Sequence, residues 1–454
     1  MSRKWSEKQS GALLGKWYTL KSMGYELLLI NTETTDKQLT IEYKLEKEGH
    51  IESVEISVPP GIVIPSVAEV FPQGEHMQCE IAQLFPIQFG SGETEEFYKD
   101  GYSLIEWGPY HPLLPEPMKL KILMKDEVIY RTHIETGYNY RGTENLCAGM
   151  KAEDCLILLE RISLLNGIPI GLAFINAVEK INGMEILEKA GWIRMLINEM
   201  SILQANLQGL NYTAQSLGLS ADSAVIFRLI CLYREAVAQI SEHPLLFGMV
   251  KVGGLSRDIP RDRLYAVNAV LHEMEKELRD IKKRWESTPS ISKRLKETGR
   301  LDEKDAVKLT GRPARAAGKP HDSRKYSNLP YEKLSYNIPV TEGSNCFARV
   351  ILKLEDLLQS LDLIDQAIEN LPKGDVKEQV MVNGSGTAMV REPEANGELI
   401  VFVKQEEGHV ASLKIRNSSA LHLPFLAGCL EGTELTDLPL VLSSFDLDLS
   451  GMEK

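Results

Sequence analysis

No two of the six cysteines (Cys79, Cys147, Cys155, Cys231, Cys346 and Cys429) are separated by only two residues. A self-contained iron–sulfur or zinc site wants such close pairs, because a tight turn offers two thiolates to one metal. A disulfide framework is equally unexpected in a long chain with so few thiols. No run of about 18 apolar residues occurs, so no segment is expected to span a bilayer. The opening residues, Met-Ser-Arg-Lys-Trp-Ser-Glu-Lys, lack the apolar stretch of a signal peptide. A place in the cytosol, or on the cytosolic side of a membrane, is the expectation. A basic surplus is also missing. Fifty-one Lys and Arg against 64 Asp and Glu leave a net charge of −13, which argues against a nucleic-acid partner. There is no internal repeat and no low-complexity tract.

What is present is ordinary material for large cores: 454 residues, 43% hydrophobic and 25% charged, enough for two or three domains. Residues 1–100 read as a small module with an amphipathic stretch from Trp5 to Met23. Strand-like runs follow at Glu26–Asn31, Gln38–Lys44 and Ile51–Val58, then a short helix at His76–Leu84. The acidic junction Gly90-Ser-Gly-Glu-Thr-Glu-Glu marks a domain boundary. Beyond it come strands at Met118–Met124 and Glu127–Ile134. The block Ala152–Asn182 is apolar almost all round, which predicts one buried helix kinked at Pro169. Amphipathic helices are expected at Ile186–Leu207, Ala221–Ser241, Arg261–Ser287 and Ala348–Asn370. Strands return at Glu398–Val403 and Ala411–Arg416, before a short helix near Pro424–Leu430. The pattern is α+β: a small α/β N-terminal module over 1–100, then a helical bundle with small peripheral β-sheets over 101–454.

Several segments carry a resemblance. Trp107-Gly-Pro-Tyr-His-Pro, Thr136-Gly-Tyr-Asn-Tyr-Arg-Gly-Thr-Glu-Asn-Leu, Leu159-Glu-Arg-Ile, Val252-Gly-Gly-Leu-Ser-Arg-Asp-Ile and Gly311-Arg-Pro-Ala-Arg-Ala-Ala-Gly occur in order, with Asn345-Cys-Phe-Ala-Arg-Val and Ser444-Phe-Asp after them. Together they resemble the large-subunit family shared by the complex I 49-kDa subunit and the NiFe hydrogenases. The first hundred residues are similar to the complex I 30-kDa subunit, through Ile64-Pro-Ser-Val and Cys79-Glu-Ile-Ala-Gln-Leu-Phe-Pro-Ile. A fused chain of this kind looks like the large subunit of energy-converting, formate-hydrogenlyase-type hydrogenases. The resemblance implies a NiFe-hydrogenase large-subunit-like bundle and a [4Fe–4S] cluster in a complex I 20-kDa-like small partner subunit. It further implies antiporter-type membrane subunits that would hold the chain on the cytoplasmic face of the cell membrane.

Against that family, the departures matter. Its four nickel-ligand cysteines align here with Ser163, Asn166, Asp448 and Gly451, and a usual histidine with Ile170. Nickel in that setting needs soft thiolates, so the resemblance implies no NiFe centre, no cofactor bound by this chain and no hydrogenase activity. Quinone reduction remains an alternative. His111 matches the quinone-binding histidine, whereas the matching tyrosine is Ala152, which would leave Tyr138 or Tyr140 as the substitute donor.

The residues singled out by the resemblance are His111 and Glu116 as catalytic groups and Arg141 as a cation near the partner's cluster. Glu116 lies between Pro115 and Pro117, and its fixed backbone suits a proton relay. A cation at Arg141 would raise the cluster potential by stabilising its reduced form; the plainer reading pairs it with Glu144 or Glu160. Glu160 and Arg161 are expected to form an ion pair within an apolar helix. A hard-cation site built from Asp446, Asp448, His111 and Glu116 is a minor alternative. Arg312, Arg315, Lys319, Arg324 and Lys325 read as a solvated basic loop, or as a contact with another subunit. A non-catalytic scaffold would let the pocket fill with apolar side chains; a working site would keep it open and charged.

Overall fold

A computed structural model describes residues 3–35, 38–90, 97–306 and 308–454. Two compact units are present, Met1–Lys99 with Ala420–Pro424, and Asp100–Ser419 with Phe425–Lys454. Residues 36–37 of the first turn and most of the acidic junction, 91–96, lie outside the described residues.

In the first unit, helix α1 (Glu7–Ser22) begins at a capping box in which Ser6 and Gln9 satisfy each other's backbone amides. Strands β1 (Glu26–Thr35), β2 (Gln38–Lys47) and β3 (His50–Val58) form an antiparallel meander. Leu39, Ile41, Tyr43 and Leu45 alternate inward along β2, as a strand with one buried face requires. Trp17 of α1 meets Tyr43 edge to face at 5.2 Å. Helix α2 (Gly74–Leu84) follows.

The second unit opens with the antiparallel sheet β4 (Ser103–Trp107), β5 (Lys119–Lys125) and β6 (Val128–Glu135). The expected long helix over 152–182 is two helices, α3 (Ala152–Leu159) and α4 (Gly167–Ile181). The break falls at 160–166, ahead of Pro169. Proline fits the first turn of α4, where its missing N–H costs no intrahelical bond. Every residue of α4 from Gly167 to Glu179 is buried.

Helices α5 (Glu188–Ser216), α6 (Ser220–Ser241), α7 (Arg261–Ser287) and α8 (Cys346–Glu369) build the bundle, with α5 packed on α6 and α8. In α7 the buried residues Leu264, Val267, Leu271, Met274, Leu278, Ile281 and Trp285 recur every three or four positions, a single inward stripe. Three strands, β7 (Gly386–Glu394), β8 (Gly397–Glu406) and β9 (His409–Arg416), form a second antiparallel sheet against α4. The sequence pattern does not reveal β7, because Pro393 argues against a strand. Near the C-terminus, α9 (Leu438–Phe445) packs on α5 and α8.

The basic segment at 312–325 corrects another expectation. Arg312, Arg315 and Arg324 are buried, and only Lys319 and Lys325 remain solvated. Arg315 grips Asp356 of α8 at 2.7 Å, and Arg324 grips Glu199 of α5 at 2.7 Å. A desolvated guanidinium needs a carboxylate to offset the cost of leaving water, and the bundle supplies one for each.

Candidate functional site

The interrupted helix is what builds the site. Because the chain leaves helical geometry between α3 and α4, Ser163 and Asn166 turn toward the last residues of the chain, where Asp448 caps the short helix Leu449–Met452. Ser163 Oγ donates to Asp448 Oδ1 at 2.8 Å, Asn166 Nδ2 to Asp448 Oδ2 at 2.7 Å, and the Gly451 amide to Asp448 Oδ1 at 3.0 Å. Ser163, Asn166, Asp448 and Gly451 therefore meet in one buried knot. The four positions that the resemblance assigns to thiolates converge, as a metal cage would need, but the donors are a hydroxyl, an amide, a carboxylate and a backbone N–H. A Cβ on Gly451 would stand 2.3 Å from Asp448 Oδ2, so no side chain fits there while the carboxylate holds its place. This set does not fit a soft bimetallic centre.

Glu116 joins the same turn. Its carboxylate accepts from the amides of Leu449 and Ser450 and from Ser450 Oγ, with Ser450 N at 3.2 Å. Burial, and then the charge of Asp448, push the Glu116 carboxyl up to about 7; the Ser450 and Leu449 donors partly oppose this. The Asp448 carboxyl is raised by burial as well. Glu116 is half-buried and Asp448 buried, so charging both around one turn is costly, and the charge of Asp448 favours the protonated form of Glu116.

Glu116 also lines an open cavity of about 390 Å³. Leu164, Leu165 and Met118 make part of its wall, with Tyr212 of α5 and Asp446 opposite. Asp446 is tied to two buried cations, Lys353 Nζ at 2.7 Å and Arg312 Nη1 at 2.9 Å. Burial pushes the Lys353 ammonium down to about 8, although Asp446 pulls the other way. The carboxylate reaches this place over Gly209, where a Cβ would come within 2.3 Å of Asp446 Oδ1. Asp446 and Asp448 thus serve different networks. With Asp446 neutralised by cations and both Asp448 oxygens taken, the hard-cation alternative loses its ligands. None of the six cysteines lines the cavity.

The remaining candidates stand apart. His111 stacks on Trp107 with ring centroids 4.5 Å apart, and its Nδ1 accepts from the Leu113 amide at 3.3 Å. Its neighbour Pro112 lines the cavity; His111 does not. Arg141 is exposed and donates to the Ile162 carbonyl in the α3–α4 link, so its expected pairing with Glu144 or Glu160 is corrected. Glu144 is held by Lys414 at 2.7 Å, and Glu160 accepts from the Gly248 amide at 2.9 Å. The Arg161–Glu160 contact is long, 3.8 Å, and Arg161 is half exposed. Single segments of sequence do not reveal Asp446, Lys353 and Arg312 as one network. Its only sequence signal is polar residues placed inside apolar helices.

Several large apolar side chains of the second unit are exposed. Tyr110, Leu146, Ile157 and Leu164 are all more than half exposed. Of these, Leu164 also lines the cavity.

Residues 225–385 match the family described as the respiratory-chain NADH dehydrogenase 49 Kd subunit. The chain is 25% identical over 371 residues to one of the subunits of the F(420)H(2) dehydrogenase of Methanosarcina mazei, covering 78% of this chain and 98% of that protein. It is 27% identical over 372 residues to the alpha subunit of the membrane-bound hydrogenase of Pyrococcus furiosus, covering 76% and 86%. A chain in the structure of the membrane-bound sulfane sulfur reductase, an archaeal respiratory membrane complex, superposes with a TM-score of 0.74 at 25% identity. The match covers 79% of this chain and all of that one.

Proposed function

From the premise that this chain carries a domain of the respiratory-chain NADH dehydrogenase 49 Kd subunit family, we propose that it is the large, catalytic-type subunit of a membrane-bound respiratory complex related to complex I and the energy-converting hydrogenases. In this role it works without a nickel–iron centre and couples electron transfer to proton or ion translocation. The observation that carries the reading is Glu116 on the wall of an open cavity, with the buried Asp448 behind it at the place where thiolates would hold a metal. A scaffold that had lost its chemistry would have no reason to keep an acid raised toward neutral pH beside open space.

Electrons arrive from outside the chain. The source is a [4Fe–4S] cluster in a small, 20-kDa-like partner that docks on the apolar face around Tyr110, Ile157 and Leu164, with Arg141 on the same side. A small reducible acceptor in the cavity takes the electrons, and Glu116 donates the matching proton. Asp448 then shares the charge left on Glu116. Among the described residues no helix is long and apolar enough to cross a membrane. Attachment at the cytoplasmic face accordingly falls to antiporter-type membrane subunits.

The test is to purify the complex, assay its metals, and compare turnover with that of a Glu116→Gln variant. Removing a proton-transferring group costs roughly 10²–10⁴-fold in rate. Stoichiometric nickel, or a Glu116→Gln complex with unchanged turnover, would refute the reading.

A further inference from the structure

Most buried carboxylates of the second unit face a cation. Glu179 has Arg194 at 2.7 Å, Glu199 has Arg324, Asp356 has Arg315 and Glu144 has Lys414. Three buried acids, Asp448, Glu394 and Glu392, and the half-buried Glu116 break the pattern. Among the described residues none of the four has a cation within ion-pair distance. Glu394 Oε1 accepts only the Ser418 amide, at 2.6 Å, and its Oε2 has no partner. Glu392 accepts from Asn176 Nδ2 at 2.7 Å and from Ser327 Oγ. The nearest cations are already engaged: Arg416, beside Glu394, pairs with Glu398 at 3.2 Å, and Arg194, behind Asn176, pairs with Glu179.

These acids also lie near one another, close enough for the charge of Asp448 to act on both Glu116 and Glu394. The segment Asn417–Ser419 joins the backbone of Asp448 to the Glu394 carboxylate. Asn417 Nδ2 donates to the Asp448 carbonyl at 2.9 Å, Ser419 Oγ accepts from the Asp448 amide at 2.8 Å, and the Ser418 amide reaches Glu394. The buried Ser418 hydroxyl has no partner of its own and can both give and take a proton. Glu394 and Glu392 are two residues apart on β7, so their side chains share a face about 7 Å apart along the strand. A proton crossing that gap needs one bridging water. Beyond Glu392, Ser327 is half-buried and Asn328 is exposed.

We propose that Glu392 and Glu394 form a proton path from the surface at Ser327–Asn328 through the second unit to Asp448 and Glu116 at the cavity. A proton taken from solvent protonates Glu392; Glu392 passes one to Glu394, Glu394 to Asp448, and Asp448 to Glu116. Each carboxylic acid gives its proton to the next carboxylate, so one proton moves and no other bond changes. Burial raises all four carboxyls above their ordinary values. Burial pushes Glu392 up to about 7 and Glu394 up to about 8, against the ordinary carboxyl value of 4.5. Lacking a cation, neither acid is locked in its charged form. The path rests on the reading of the cavity as a proton-coupled redox site and supplies the donor that Glu116 needs between turnovers.

The test uses the isolated complex carrying Glu392→Gln, Glu394→Gln or Glu116→Gln, read in two ways. The first is infrared: at neutral pH the wild type has protonated-carboxyl C=O bands, and each Gln substitution removes one. The second is turnover at saturating substrates. Glu392→Gln and Glu394→Gln should each lower it at least about tenfold with KM unchanged, and small weak acids should restore part of the loss by ferrying protons. The infrared band shows that each acid is protonated, and a merely structural role would leave no rescue by small weak acids. If Glu116→Gln abolishes turnover while both β7 variants keep it, the path is overturned and the functional reading stands. If all three keep full turnover, both fall. Should a β7 variant not assemble, Ser327→Ala is judged by the same turnover and rescue criteria.

Discussion

Ser163 and Asp448 lie 285 residues apart in the chain and meet in a 2.8 Å hydrogen bond. That bond, with those from Asn166 and Gly451, closes the end of the chain onto the α3–α4 link. Asp448→Ala would leave three buried donors without their acceptor. At about 1–3 kcal/mol for an unpaired buried group, partly relieved by water entering the gap, a loss of roughly 3 kcal/mol is expected. The check is the melting temperature of the purified complex, together with protease sensitivity of its last residues. An unchanged Tm would mean that the knot contributes nothing.

Gly209→Ala tests the second network at the cavity. Its Cβ would press on Asp446 Oδ1 and force the carboxylate away from Lys353 and Arg312, which are both buried. Breaking a buried pair while its charges remain costs roughly 3–5 kcal/mol. We expect a large drop in Tm from one added methyl group, and a partial recovery in Gly209→Ala/Asp446→Ser, where the shorter side chain leaves room. Equal Tm for Gly209→Ala and wild type would show that Asp446 moves freely.

How far the sequence reached follows from these residues. The helices at 221–241, 261–287 and 348–370 were legible because one apolar stripe recurs along each, and the structure moves their ends by only a residue or two. The break at 160–166 was not legible. Apolar side chains continue straight through it, and what interrupts the helix is tertiary, the pull of Ser163 and Asn166 toward Asp448. Arg312, Arg315 and Arg324 misled for the same reason. A basic segment looks solvated until the carboxylates at 199, 356 and 446 are known to fold over it. Within the site, the motifs name Glu116 and four positions that the structure brings together around Asp448. They could not place Lys353, whose only local context is an apolar helix.

His111 separates two readings of the cavity. Its ring stacks on Trp107 and its Nδ1 is occupied by the Leu113 amide, so it shapes the loop that carries Glu116. His111→Ala is therefore expected to lower turnover far less than Glu116→Gln, well short of the roughly 10²–10⁴-fold cost of deleting a proton donor. Steady-state rates of the two variants in one preparation decide it. A His111→Ala loss as large as that of Glu116→Gln would favour the quinone-reducing alternative, in which the histidine touches the acceptor.

Glu160 offers a pH signature of its own. It is buried, accepts one bond from the Gly248 amide, and burial pushes its carboxyl up to about 7 from the ordinary 4.5. Between those values the folded chain keeps a proton that the unfolded chain has released, so stability falls as pH rises through the window and stays lower above it. The deficit is at most about 3 kcal/mol at one pK unit per 1.4 kcal/mol. Glu160→Gln removes the titration while keeping the shape. Melting temperatures taken from about pH 5 to about pH 8 should diverge, the variant gaining on the wild type as pH increases, with most of the change below 7. Parallel curves would mean that Glu160 is charged throughout, and that the 3.8 Å contact with Arg161 compensates for its burial.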